Sequence, residues 1–185
     1  MEYLTQPEVA ALLKASFEYG NREAHLCLLV MYSSGTRVSQ ALALKGVDII
    51  GDPSTGGHKI RIGSAKRGKT RSFRLMPSPN PAFDMTPLVE LAKCRGTNAL
   101  FGGLSRCYLH VLIKKFAALA GLHTEMVSCH RLRHSTAMQI YTKTQRIGVV
   151  SAYLCHVDPS TAFTYVAEGN SQLGDEAMAQ VFATA

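Results

Sequence analysis

The chain has 185 residues, of which 46% are hydrophobic, and a formal net charge of +7. That length suffices for one domain with a sizeable core, and the sequence contains neither an apolar run long enough to cross a bilayer nor a secretion signal. Its five cysteines are an odd number without paired spacing, which is typical of reduced thiols in a cytoplasm.

The N-terminal part of the chain predicts three helices. Residues 5–8, Thr-Gln-Pro-Glu, form a capping box that opens the first helix. Asn21 caps the second, which is apolar on every side and ends at Gly35, a residue suited to the left-handed C-cap conformation. A short third helix over residues 37–44 begins at Arg37. Because this helix directly follows a buried one, we expect the backbone at Arg37 to be held rigidly.

Three short strands follow, with a hairpin turn centred on Arg67-Gly68 between the last two. They are expected over residues 47–50, 59–62 and 71–75. Their alternation predicts a small antiparallel sheet with one cationic face. Seven Lys and Arg residues lie between residues 58 and 74 without an acidic residue among them. Such concentrated charge favours nucleic acid as a partner, and alternation of this kind argues against an amphipathic helix on a membrane.

Helical patterns dominate the remainder of the chain. Asp158-Pro159 is a cap followed by proline at the first helical position, which places Tyr165 about two turns into a short helix. The fold class is therefore α+β and mainly helical, with residues 1–185 as a single domain. Further helical segments are expected over residues 88–92, 108–119, 147–154 and 175–182.

The stretch over residues 128–135, Ser-Cys-His-Arg-Leu-Arg-His-Ser, is the most unusual in the chain. On a helix, His130, Arg133 and His134 share one face, because residues three and four apart are neighbours. If Ser128 caps that helix, its first amides and the positive end of its dipole suit a phosphate. A solvated basic turn would have the same composition, so this octapeptide alone leaves both interpretations open.

Four separated pieces together resemble the catalytic domain of the tyrosine recombinases, the phage integrase family. The resemblance covers residues 4–166 and implies the fold of that domain, with a small three-stranded antiparallel sheet. The pieces are Ser34-Gly35-Thr36-Arg37, the basic hairpin with Lys66 at its turn, the octapeptide, and Tyr153-Leu154-Cys155-His156 followed by Tyr165. Each fragment alone is weak, and their combination in this order is specific.

The resemblance implies that Arg37 and Arg133 are an arginine pair and that Tyr165 is the nucleophile. Two guanidiniums can hold the non-bridging oxygens of a DNA phosphate with bidentate, permanently charged donors. Tyrosine, with a pKa of about 10, is a poor nucleophile at neutral pH and needs a base nearby. The implied product is a 3′-phosphotyrosine, so strand joining requires no cofactor and no metal.

The other implied catalytic residues handle protons and the phosphate. His130 is the candidate base, Lys66 the acid that protonates the leaving 5′ hydroxyl, and His156 a hydrogen-bond donor to the phosphate. Lys69 flanks the same turn and is the alternative to Lys66. The cations expected to contact the DNA backbone are Lys59, Arg61, Arg67, Lys69, Arg71 and Arg74.

Some alternatives and departures from the family pattern stay open. Tyr141 and Tyr153 are rival nucleophiles, although their apolar surroundings favour core positions. Cys129-His130 and Cys155-His156 could supply metal ligands, but adjacent pairs do not match the usual zinc spacings. Gln40 replaces the acidic residue usual three positions after the first arginine, and Cys155 the glycine usual before the second histidine.

The sequence therefore predicts a site-specific DNA recombinase that acts in integration, excision, inversion or resolution. Alternatives are a type IB topoisomerase and a non-catalytic DNA-binding regulator on the same fold. Expected partners are double-stranded DNA, accessory DNA-bending proteins and further copies of the chain in a tetramer, in a cytoplasmic, nucleoid-associated location. The helix over residues 175–182 would dock between protomers or pack on its own domain. Because three residues precede Leu4, no N-terminal core-binding domain is expected, as in a minimal fimbrial-switch recombinase or a catalytic fragment.

Overall fold

The computed structural model describes residues 3–63 and 70–154, and this part of the chain is mainly helical with one small sheet. The elements are α1 (Gln6–Glu18), α2 (Arg22–Ser34), α3 (Val38–Leu42), β1 (Ile49–Asp52), β2 (Gly57–Gly63), β3 (Thr70–Arg74), α4 (Pro87–Arg95), α5 (Arg106–Leu119), α6 (Cys129–Thr144) and α7 (Ile147–Leu154). The predictions made for Lys66, Arg67, Lys69, Cys155, His156, Tyr165 and the helix over residues 175–182 lie outside the described residues.

Local capping interactions set the helix boundaries as the sequence predicted. Thr5 and Glu8 form the capping box of α1, and Asn21 accepts from the Ala24 amide at the start of α2. Gly35 ends α2 with φ +58°, in the left-handed region that glycine adopts without steric strain. Ser128 caps α6 by accepting from the Arg131 amide at 3.2 Å. These predicted caps are confirmed.

The main core is built around α2, whose residues from Ala24 to Met31 are all buried. This helix packs against α1 and α6, which explains why its sequence is apolar on every side. A second, smaller cluster joins α6 to α7 through Met138, Val150 and Leu154. Within the described ranges, no helix combines the length and apolar character needed to span a bilayer.

The sheet is antiparallel with the order β1-β2-β3. Its first strand begins later than predicted, because Gly46–Asp48 forms a 3-10 helix that carries the chain into the sheet. Opposite residues share a face, so Lys59 and Arg61 of β2 lie on the same face as Arg74, which pairs with Lys59. We call Lys59, Arg61 and Arg74 the cationic face.

Arg71 does not belong to that face, and the prediction of one cationic face was wrong for this residue. It pairs with Ile62, which is buried, and it lies two positions before Phe73 on β3. Residues two apart on a strand point to the same side, so Arg71 lies on the core-facing side of the sheet. The sequence interpretation placed Arg71 with Arg74. The two residues are three positions apart on β3, so they point to opposite faces of the sheet.

Candidate active site

Three of the six predicted catalytic residues lie within the described part of the chain, and all three line one pocket. Arg37 reaches it from the start of α3, and His130 and Arg133 reach it from the first turns of α6. The pocket has a volume of about 610 Å³. Its other described lining residues are Val38, Ser39, Arg106, Cys107, His110, Val111, Ser128 and Cys129.

Arg37 is the N-cap residue of α3, one position earlier than the predicted first turn, and its side chain is exposed. Its amide donates to Oε1 of Gln40 at 3.3 Å, while Nε2 of Gln40 donates to the Gly63 carbonyl at 3.0 Å. Gln40 therefore supports the backbone of Arg37 and ties α3 to the end of β2. A neutral amide can do both, because it has a donor and an acceptor.

Arg133 is buried, with 4% of its surface exposed. Its Nη1 atom donates to the Gly35 carbonyl at the end of α2, and its Nη2 atom donates to the Leu154 carbonyl at 3.1 Å. A guanidinium has five N–H donors in a fixed plane. Two backbone carbonyls therefore hold this planar group in place where it lines the pocket.

His130 is exposed at the pocket, and its Nε2 atom lies 2.8 Å from Nε2 of the buried His134. Partial desolvation at the pocket wall, followed by the charges of Arg133 and Arg37, lowers the pKa of His130 below its ordinary value. The neutral ring, which can accept a proton, is therefore favoured at neutral pH. The sequence interpretation placed His134 on the same helix face as His130 and Arg133, and the four-residue spacing is the signal for its contact with His130.

The four described cations that were predicted to contact DNA have different surroundings. Lys59 forms an ion pair with Asp52 at 3.7 Å, and Arg61 donates to the Val47 carbonyl at 3.2 Å. Arg74 is exposed. Arg71 instead donates to protein groups on the other side of the sheet. Their DNA contacts stay predictions.

The sequence interpretation missed that Arg106 and His110 line the same pocket. Both lie on α5, four residues apart, and this spacing on the polar side of a helix was the available signal. Cys129 also lines the pocket. Burial raises the pKa of its thiol to about 11, so it is protonated at neutral pH and is a weak nucleophile.

Packing or hydrogen bonding within the fold holds both rival nucleophiles, Tyr141 and Tyr153. Tyr141 is buried in the cluster between α6 and α7. The hydroxyl of Tyr153 donates to the Ser33 carbonyl, and burial raises the pKa of this phenol. Across residues 3–63 and 70–154, no group of three or more His, Cys, Asp or Glu is arranged to hold a metal ion.

The sequence model of the phage integrase family matches residues 2–171. The chain belongs to the phage integrase family. It is 28% identical to the tyrosine recombinase XerD of Rickettsia conorii over 181 residues, which cover 89% of this chain and 59% of that protein. It is 32% identical to XerD of Ralstonia nicotianae over 180 residues, which cover 89% of this chain and 56% of that protein. It thus spans less than two thirds of the length of these relatives.

Solved structures place this integrase-family chain in the same fold. The XerH site-specific recombinase, solved in a post-cleavage complex with its palindromic difH substrate, superposes with a TM-score of 0.77 at 25% identity, covering 95% of this chain and 52% of that one. The catalytic domain of bacteriophage HP1 integrase superposes with a TM-score of 0.64 at 19% identity, covering 96% of this chain and 94% of that one. The predicted fold class is therefore confirmed.

Proposed function

We propose that this member of the phage integrase family is a site-specific DNA recombinase that cuts and rejoins DNA strands. The observation that supports this most directly is the meeting of Arg37, His130 and Arg133 at one pocket. These residue types match what transesterification at a phosphodiester needs. The relatives XerD and XerH are named recombinases, and XerH was solved with its difH substrate.

In the proposed mechanism, Arg37 and Arg133 bind the non-bridging oxygens of the scissile phosphate. Charge builds on these oxygens as the tyrosine attacks, so preorganised guanidinium donors stabilise the transition state more than the ground state. Arg133 suits this role because two backbone carbonyls fix its plane. Removing one such donor typically lowers the rate by about 10²–10³.

Proton transfers complete the proposed reaction. Tyr165 loses its proton to His130 as its oxygen attacks phosphorus, and the bond from phosphorus to the 5′ oxygen breaks. Lys66, or Lys69 in its place, protonates that leaving oxygen, and His156 hydrogen-bonds the phosphate. The 3′-phosphotyrosine preserves the bond energy, so that a 5′ hydroxyl can reverse the step without a cofactor.

The remaining assignments belong to the same proposal. Residues 1–185 would form one catalytic domain that binds double-stranded DNA through the cationic face. Recombination would need a tetramer on DNA, with the helix over residues 175–182 as a candidate docking element and with accessory DNA-bending proteins as further partners. The site of action would be the nucleoid.

Covalent trapping tests this proposal. Nicked suicide duplexes drawn from DNA that flanks the gene are incubated with wild type, with Tyr165→Phe, and with Tyr141→Phe as a matched tyrosine control. A denaturation-resistant adduct is expected with wild type and Tyr141→Phe and not with Tyr165→Phe. An adduct that persists in Tyr165→Phe contradicts the nucleophile assignment, salt-sensitive binding without any adduct points to a regulator, and relaxation of arbitrary plasmids points to a topoisomerase.

A further inference from the structure

Two arginines from different elements bind consecutive main-chain carbonyls of α7. Arg71 of β3 donates through Nη1 to the Tyr153 carbonyl, and Arg133 of α6 donates through Nη2 to the next carbonyl, that of Leu154. The same side chains also reach consecutive residues where α2 passes into α3. Arg71 donates to Oγ1 of Thr36 at 3.3 Å, and Arg133 donates to the Gly35 carbonyl.

Aromatic contacts fix Arg71 in this position. Its guanidinium carbon lies 4.9 Å from the centre of the Phe73 ring, within range of a cation–π interaction. The Phe73 ring meets the Tyr153 ring edge-on, with centroids 5.2 Å apart. The Tyr153 hydroxyl in turn donates to the Ser33 carbonyl on α2. Strand β3, Tyr153 of α7 and the end of α2 are therefore joined in one network.

Both guanidiniums donate to main-chain carbonyls of α7, which is described over Ile147–Leu154. They tie this part of the chain to β3 and α6. The chain then continues from Leu154 toward the predicted His156 and Tyr165.

We propose that Arg71 is a positioning residue that holds Tyr153 of α7 against β3 and the α2–α3 junction, and that it is not a DNA contact. The inference rests on the proposed function, because its catalytic consequence requires that the segment after Leu154 supplies the nucleophile. Arg71 then fixes the part of α7 from which that segment continues. It also links α7 to β3, the strand that follows the predicted position of Lys66.

The proposed role of Arg71 depends on its planar, forked guanidinium group. It bridges two acceptors on separate elements with a planar set of donors, whereas lysine offers a flexible point charge. Replacement by lysine therefore preserves the charge that DNA would sense and removes the bridge. Arg22→Lys makes the same chemical change at an exposed ion pair with Glu90, outside the pocket lining and the cationic face, and is the matched control.

The first measurement separates cleavage from DNA binding. With saturating suicide substrate, Arg71→Lys is expected to form the adduct about tenfold or more slowly, because small displacements of reacting groups reduce rates steeply. Its DNA affinity and salt dependence should match those of wild type, and Arg22→Lys should cleave normally. Wild-type cleavage by Arg71→Lys would overturn the inference. A second result would also overturn it: Arg71→Gln loses DNA affinity and salt dependence, and Arg71→Lys restores both. That pattern is the one expected of a DNA contact.

The second measurement needs no DNA. Backbone hydrogen exchange in α7 is expected to be about tenfold faster in Arg71→Lys than in wild type or Arg22→Lys, with unchanged exchange in α2 as evidence of an intact core. Unchanged exchange in α7 would refute the positioning role. If Arg71→Lys exchanges faster in α7 but wild type forms no adduct, the Arg71 contact is supported. The proposed recombinase function is then the part that fails.

Discussion

The Nε2 atoms of His130 and His134 lie 2.8 Å apart, and their ring planes meet at 89°. A hydrogen bond between two ring nitrogens requires one that carries a proton and one that does not. Both rings therefore cannot be protonated while this bond persists. A neutral His130, which its lowered pKa favours, is compatible with this contact and is the state that a general base needs.

Removing the charge of Arg37 is expected to raise the pKa of His130. The positive charges of Arg133 and Arg37 both lower this pKa, so Arg37→Gln should move it upward, toward the ordinary value of about 6.5. The measurement is a histidine NMR titration of the DNA-free protein. Arg37→Lys retains the charge and should leave the pKa of His130 near its wild-type value. An unchanged pKa in Arg37→Gln would show that Arg37 does not influence the ring.

The same change predicts a shift in the pH dependence of cleavage. His130 can act as a base only in its neutral form, so activity falls as the pH drops through the pKa of His130. A higher pKa moves this acid limb to higher pH in Arg37→Gln. Adduct formation measured against pH, in single turnover, should show the shift alongside a lower maximum rate. An acid limb that stays in place while the NMR pKa rises would exclude His130 as the base.

Gly35→Ala is expected to destabilise the protein more than Gly20→Ala. Both glycines have positive φ, at +58° and +83°, so alanine is strained at either position by about 1–2 kcal/mol. At Gly35, however, a Cβ atom would lie 2.2 Å from Cδ2 of Leu154, whereas nothing lies within 4 Å at Gly20. The overpacking should add about 1–3 kcal/mol to the loss of unfolding free energy.

Urea unfolding of the two glycine variants measures that difference directly. Because the Gly35 carbonyl also accepts from Arg133, Gly35→Ala should lower adduct formation beyond its effect on stability. Equal unfolding free energies in Gly35→Ala and Gly20→Ala would mean that Leu154 gives way without penalty.

Neutralising Arg74 is expected to weaken DNA binding uniformly across sequences. It is exposed on the cationic face, and removing one cation that neutralises a phosphate should reduce the slope of log K against log salt by about 1. Affinity titrations of Arg74→Gln over a range of salt concentrations test this. Lys14→Gln removes an exposed charge on α1, away from the sheet and the pocket lining, and should leave the slope unchanged. An unchanged slope in Arg74→Gln would remove this residue from the interface.

The parts of the fold that local chemistry determines could be predicted from the sequence. Gly35 and Ser128 act on residues within a few positions of themselves, so their roles are visible in a short stretch. The hydrogen bond of Arg71 to Tyr153 is a contact that such local reasoning cannot predict. Its acceptor on Tyr153 is a backbone carbonyl 82 residues away, and every residue has such a carbonyl. No side-chain pattern marks which one will be used.

The same distinction applies to the site. The resemblance brought Arg37, His130 and Arg133 together in advance, because the family pattern carries their spacing. It gave no sign that Arg133 is buried between Gly35 and Leu154, or that Gln40 reaches the Gly63 carbonyl. These supporting contacts depend on the packing of α2, α6 and α7, which follows from the distribution of apolar residues over the whole chain.

A buried histidine away from the site predicts how stability depends on pH. His25 is 3% exposed, and burial lowers its pKa from 6.5 to about 4. The unfolded chain therefore binds a proton that the folded one does not, and stability falls as the pH drops from about 6.5 toward 4. Between pH 7 and pH 5 the loss should be about 2 kcal/mol. Urea unfolding at both pH values should show much of this loss removed in His25→Leu. Ser16→Ala, which deletes the hydroxyl 2.8 Å from Nδ1 of His25 but keeps the ring, should retain it. Equal acid sensitivity in His25→Leu and wild type would assign the effect to other groups.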